Sequence, residues 1–224
     1  MLKVNVDKRI LDICPQMKIG LIQADVVNGD TCDELWNELL KEADNIKNSY
    51  ELLAINKRPA VAATRKVYKA LGKDPGRYRV ASEALCRRII RGLGLYRLTT
   101  LIDVVNLVSI KSGYAISGLD FDKIEGDTLT LGVGESGEMY NGIGRGALNI
   151  ENMPVYRDAI GGVATPTSDE ERTKFTPETT TVQININGYG PEMDMEETVN
   201  LMDDLDKTNA QATNIQTSIV SNFD

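Results

Sequence analysis

The sequence predicts an α+β protein built in layers, with helices concentrated early and strands late. Three observations carry that reading. Between residues 30 and 113, apolar residues recur at three- and four-residue spacing, and three of the runs stop at a glycine. After residue 120 the pattern changes to short alternating segments separated by Gly, Thr and Pro. A chain of 224 residues with 42% apolar content can bury a full core under such layers.

Lys3 to Asp7 alternates and reads as a first strand, and Lys18 to Val27 as a second, more buried one. Asn28-Gly29-Asp30 turns the chain, and Asp30 or Thr31 is placed to cap a helix. Leu35, Trp36, Leu39, Leu40, Ala43 and Ile46 give that helix one apolar face, with Trp36 in the core. Pro59 suits the first position of the next helix, whose end is set by Gly72 in the left-handed conformation. A further helix spans Ser82 to Arg91 and stops at Gly92. Thr99 or Thr100 starts another, through Lys111 to Ser112-Gly113, and a glycine-rich turn over 113–120 follows. Asp127 to Val133, Val155 to Arg157 and Thr180 to Ile186 are strands. Glu192 to about Ala212 reads as an acidic helix with Met195, Val199, Met202 and Leu205 on its apolar side. The polar tail from Gln211 is expected to fray. No internal repeat or low-complexity block is visible.

The net charge of −8 argues against indiscriminate nucleic-acid binding. The distribution says something different. From Lys57 to Arg97 twelve cations face only Asp74 and Glu83, a net of +10 on a chain that is otherwise −18. Such asymmetry points to a polyanion-facing surface on an acidic body, set against a plain solvated helix face.

The chain has no histidine, which removes His-based triads, general bases and metal ligands together. Cys14, Cys32 and Cys86 form no CxxC and read as buried thiols, with neither zinc nor disulfides suggested. No cofactor motif and no metal site is expected. Gly132-Val133-Gly134-Glu135-Ser136-Gly137 matches GxGxxG, but the glycine-rich EMYNGIGRG that follows cannot begin the required helix. A hairpin or bulged strand accounts for it better. Glu135, Glu138, Asp120 and Asp122 lack calcium-loop spacing and read as turn and surface groups. No apolar run reaches the ~20 residues of a membrane span, and no signal region opens the chain, so a cytoplasmic location is the default.

One series of motifs is more specific in its order than in its parts. It runs Arg65-Lys66, Gly72, Tyr78-Arg79, Ser82, Leu85, Arg87-Arg88 and Gly92, then Asp103-Val104-Val105-Asn106. Gly113 to Asp120, Gly137-Glu138, Glu171-Arg172-Thr173-Lys174, and Thr176 with Thr179 complete it. The series resembles the B3/B4 tRNA-editing module of the bacterial phenylalanyl-tRNA synthetase β subunit, in its stand-alone form. The resemblance covers about residues 60 to 187. It implies a layered sandwich of mixed sheets with flanking helices, and one domain over 1–224. Residues 1–56 would be its N-terminal strand–helix portion, and 190–224 its acidic helix and tail.

The family pattern places a mischarged aminoacyl end in an interface pocket and hydrolyses it by orienting a water, without a side-chain nucleophile. By that resemblance Asn106, Ser117 and Asn185 are the candidate catalytic positions. Asn106 matches the family's Asn, whereas Ser117 stands where the family has His and Asn185 near where it has Glu. Asn cannot take a proton as Glu can. Asp103, Val105, Gly118, Glu138, Arg172, Thr176 and Thr179 are the candidate substrate-binding residues. Arg65, Lys66, Arg79, Arg87, Arg88 and Arg91 are the candidate nucleic-acid contacts, with tRNA or aminoacyl-tRNA as the partner. Three functions stay open: a deacylase of mischarged tRNA, a tRNA binder without chemistry, and a pocket for a free amino acid or similar metabolite.

Overall fold

A computed structural model of the chain describes residues 1–190, 194–221 and 223. The chain begins with β1 (Lys3–Val6), α1 (Lys8–Ile13) and β2 (Lys18–Asp25). Four helices follow: α2 (Asp33–Ser49), α3 (Pro59–Leu71), α4 (Ala81–Ile90) and α5 (Thr100–Ser112). Next come β3 (Ala115–Asp120), β4 (Thr128–Val133) and a small hairpin of β5 (Asn141–Gly142) and β6 (Gly146–Ala147). Then follow β7 (Pro154–Arg157), β8 (Gly162–Ala164), β9 (Thr181–Gly188), α6 (Met195–Asn209) and β10 (Thr213–Val220). No described helix is long and apolar enough to cross a membrane.

Two four-stranded sheets form the body. One has the order β1-β4-β7-β8, with β1 parallel to β4 and the other pairs antiparallel, so the sheet is mixed. The other, β10-β2-β9-β3, is antiparallel throughout. Alternation along β9 explains the layering. Val182, Ile184 and Ile186 pack on Leu101, Val104, Leu107 and Val108 of α5 and on Val199 and Met202 of α6. On the opposite face Ile19 and Leu21 of β2 and Leu119 of β3 meet Leu129 and Leu131 of β4 and Tyr156 of β7. Each such side chain, fully buried, contributes roughly 1.5–3 kcal/mol. The fold is therefore α+β, a layered sandwich of one mixed and one antiparallel sheet with flanking helices.

The punctuation acts as read. Pro59 opens α3, and Gly72 and Gly113 end α3 and α5 at φ of 89° and 81°, where a Cβ would be strained.

Several expectations are corrected. The cap of α2 is neither Asp30 nor Thr31: the Sγ of Cys32 accepts from the Leu35 N–H, and Cys32 is exposed where a buried thiol was expected. Thr31 instead donates to Asp103 from inside the fold. Trp36 is half-buried at the edge of the core, and Leu40 is exposed. The stretch read as a glycine-rich turn contains β3, whose small residues let neighbours approach its backbone closely. Helix α6 is shorter than 192–212, and Glu192 lies outside the described residues. The tail does not fray but pairs as β10 with β2; it reads as polar because it is a sheet edge with much of one face in solvent.

Candidate functional site

The site is organised by α4. Its Ser82 hydroxyl donates to the Gly113 carbonyl at 2.8 Å, tying the helix to the end of α5. One residue on, Glu83 is fully buried and accepts from Arg65 Nη1 at 2.8 Å and from Arg87 Nε at 2.9 Å. A buried carboxylate is stable only when paired, so these two arginines fix the rotation of the helix. Its opposite side then opens into a cleft of 460 Å³.

Five arginines line this cleft: Arg79 and α4's own Arg87, with Arg88, Arg91 and, from the β5–β6 hairpin, Arg145. Arg88 is held by the carbonyls of Gly94 (2.6 Å) and Leu93 (3.1 Å), and lies 4.4 Å from the Tyr96 ring centroid. Among the described residues Arg79, Arg91 and Arg145 have no acidic partner. Asn106 of α5 and the segment Thr167-Ser168-Asp169 complete the wall. That segment is rigidly fixed. Tyr68 and Thr167 hydroxyls meet at 2.9 Å, and the Tyr140 hydroxyl donates to the Ser168 carbonyl at 2.7 Å.

Asp169 is the one carboxylate among the lining residues. It meets β3 at its unpaired edge, accepting from the Gly118 N–H at 3.1 Å and from the Ser117 hydroxyl. Burial pushes its carboxyl up to about 7, against the opposing pull of those two donors. Gly118 is required here, since an added Cβ would lie 2.5 Å from the Phe175 ring.

Asn106 also neighbours Asp103, whose carboxyl is raised by burial and lowered by Thr31, the Leu98 N–H and Asn106. Asp103 is fully buried; its Oδ2 accepts from Thr31 at 2.6 Å and from Leu98 N at 3.1 Å, while Oδ1 has no hydrogen-bond partner among the described residues. It fastens α5 to the loop after β2 from behind the cleft. Val105 is half-buried against the helical core. Ser117 and Asn185 lie opposite one another in the β3–β9 register. Asn185 is buried, its Oδ1 accepting from Gln183 at 2.9 Å and its Nδ2 lacking a partner among the described residues.

Other candidates sit elsewhere. Glu138 is clasped by Arg157 through bonds of 2.8 and 2.6 Å; burial raises its carboxyl, but Arg157 and the Glu135 N–H outweigh that and hold it low. Arg172 is bound to Asp158 and to the Lys123 carbonyl. Thr179 donates to Asp120 at 2.8 Å and accepts from the Thr176 N–H, beside the Asp120–Lys123 ion pair. Arg65 is turned onto Glu83 and Pro75, and Lys66 lines a different groove with Pro15, Gln16 and Tyr189. The cleft thus gathers Arg79, Arg87, Arg88, Arg91 and Asn106, with Ser117 and Gly118 joined to it through Asp169.

Arg145 and Asp169 were missed by the sequence reading. Arg145 stands alone in a glycine-rich stretch, and Asp169 lies just outside the Glu171-Arg172-Thr173-Lys174 motif. Among the described residues no three potential metal ligands cluster.

The fold and cleft together define a class: a layered α+β domain with a cationic cleft at the unpaired, buried edge of one sheet. Residues 63–208 match the family model of the B3/4 domain, well over half of the chain, and the chain belongs to that family. The matched stretch contains every residue that lines the cleft. Among solved structures the chain is similar to an N-terminal fragment of the phenylalanyl-tRNA synthetase beta subunit from Pyrococcus horikoshii, at 14% identity and a TM-score of 0.47. That match covers 98% of this chain and 54% of the other, so the chain spans about half the length of that fragment. No curated protein sequence gives a significant match.

Proposed function

We propose that the chain binds the 3′ end of an aminoacyl-tRNA in the arginine cleft and hydrolyses the ester of a mischarged one beside Asn106. The observation that carries this reading is the lining of the cleft: five arginines against a single carboxylate, with a neutral amide at the wall. Guanidiniums suit phosphate oxygens in geometry and charge. Asn106 offers both a donor and acceptors, so it can hold a water and an ester carbonyl at once. With no histidine in the chain, orientation of the water and the field of the arginines supply the rate. The motif resemblance to the synthetase editing module supports the substrate class.

Two measurements test it together. Binding of unacylated tRNA should weaken steeply with salt, with a log–log slope of roughly −2 to −4 for three to five phosphates neutralised. Reversing Arg79 and Arg91 to Glu should flatten that slope by about one per contact. Release of amino acid from a panel of mischarged tRNAs, tyrosine on the phenylalanine tRNA included, should exceed background and vanish in Asn106→Ala. Salt-insensitive binding together with flat release traces would reject the proposal.

A second reading has one observation of its own. At 460 Å³ the cleft falls within the roughly 300–1,000 Å³ range of small-molecule sites. A pocket for a free amino acid or similar metabolite predicts thermal stabilisation that grows with ligand concentration above Kd. No shift across the amino acids and their amides removes that alternative.

A further inference from the structure

We propose that Asp169 is the proton-accepting group of the cleft, taking a proton from the water that attacks the ester; this rests on the reading of the cleft as an ester site. The position is built for it. Asp169 lines the same cleft as Asn106, on a segment clamped by Tyr68 and Tyr140. Two donors from β3, the Gly118 N–H and the Ser117 hydroxyl, fix the direction of its carboxylate. Despite five arginines in the lining, none forms an ion pair with it among the described residues, so its lone pairs are not consumed by a guanidinium.

The alternatives fall away on chemistry. Asn185 cannot accept a proton and is buried beneath the sheet edge. Asp103 is fully buried and is not among the residues that line the cleft. Glu83 is held between two arginines. Asp169 also has a proton affinity suited to neutral pH, where a general base is most effective. The charged and titratable groups around it are Arg79, Arg87, Arg88 and Arg91 on one side, Arg145 on the hairpin, and Tyr140 and Glu170 behind. On this account Ser117, at the position where the family has His, is a positioning residue that orients Asp169.

The step balances simply. The water oxygen forms a bond to the ester carbonyl carbon while the Asp169 carboxylate takes one of its protons. The bond from that carbon to the ribose oxygen then breaks, and Asp169 returns the proton to the departing oxygen. The products are the free amino acid and a tRNA with its hydroxyl restored.

The test is the pH profile of single-turnover deacylation, corrected for spontaneous ester hydrolysis. Wild type should rise with pH and level off with an inflection near 7. Asp169→Asn, which keeps an acceptor oxygen for the Gly118 N–H and offers its amide N–H to the Ser117 hydroxyl, should slow the reaction by about 10²–10⁴-fold and lose the inflection. Its tRNA affinity and thermal midpoint should not fall below wild type, because the change removes a carboxylate that burial disfavours from among the cleft arginines. Asp169→Glu should recover part of the rate and the inflection. Wild-type speed in Asp169→Asn, or a wild-type profile without an inflection between about pH 6 and 8, overturns the proposal while leaving the cleft an ester site. If wild type releases nothing from any ester, the reading of the cleft falls first and this inference with it.

Discussion

Glu83 offers the most direct probe of how the cleft is held. Its side chain is fully buried, while those of Arg65 and Arg87 keep 17% and 14% of their exposure. Glu83→Ala would leave two nearly buried guanidiniums without their shared carboxylate. Breaking a buried pair by removing one partner costs roughly 3–5 kcal/mol. Arg65 retains its bond to the Pro75 carbonyl, and water reaches part of each arginine, so the lower end applies, about 3 kcal/mol. Glu83→Gln keeps one acceptor and should lose less, about 2 kcal/mol. In urea unfolding with a slope near 3 kcal/mol per molar, the alanine variant's midpoint should fall by about 1 M with the slope unchanged. A fall of less than about 0.2 M would refute the reasoning. The same variant carries a second signature. Glu83 neutralises Arg87 at the cleft, so if the cleft binds tRNA as proposed, its removal should strengthen that binding while weakening the fold. A general folding defect does not give opposite signs.

Two further predictions concern the body of the fold. Asp206 of α6 is buried with neither oxygen hydrogen-bonded among the described residues, and burial, with Asp203 adding to it, pushes its carboxyl up to about 7 from a usual 3.8. The folded state therefore binds this proton more tightly than the unfolded one, so the group's contribution is most favourable below about pH 4 and is lost as pH rises to 7. Asp206→Asn should then stabilise the protein at pH 8 by up to about 4 kcal/mol and change little at pH 4; equal effects at both pH values in urea titrations would contradict this. Gly134 lies where a Cβ would meet the Ile150 carbonyl oxygen at 1.9 Å, whereas nothing lies within 4 Å of the corresponding point at Gly29. Gly134→Ala should lower stability by about 3 kcal/mol or more and Gly29→Ala by under about 1 kcal/mol, read as thermal midpoints.

What the sequence revealed about the fold was what local chemistry determines. Gly72 and Gly113 mark helix ends because the left-handed backbone there accepts few other residues, and Pro59 marks a start because proline fits the first turn of a helix and not its interior. The elements it hid depend on distant partners. β3 looks like a turn because Gly118 has no side chain, yet the glycine is there so that Phe175 can lie against the strand. β10 looks like a loose tail because an edge strand with a solvated face carries no hydrophobic alternation. Its partner β2 lies near the other end of the chain. Parallel pairing of β1 with β4 likewise leaves no local mark.

The candidate site shows the same division inside one property, charge. A run of twelve cations invites a single explanation, but the structure gives it two. Arg58 binds the Lys111 carbonyl and lies 3.1 Å from the Cys86 sulfur. Lys73 binds the Asn149 and Glu151 carbonyls, Arg97 binds Thr31 and Asp33, and Arg65 binds Glu83. These four hold helices and loops together, and their charge is largely taken up by the protein. Arg79 and Arg91 are left to the cleft, where Arg145 joins them from a segment with no run of charge at all. Counting cations along the chain therefore overstated the surface and missed part of it. Arg87 belongs to both groups: it lines the cleft and is already paired with Glu83. For that reason its loss should reduce stability more and phosphate affinity less than the loss of Arg79, an order that charge density alone does not predict.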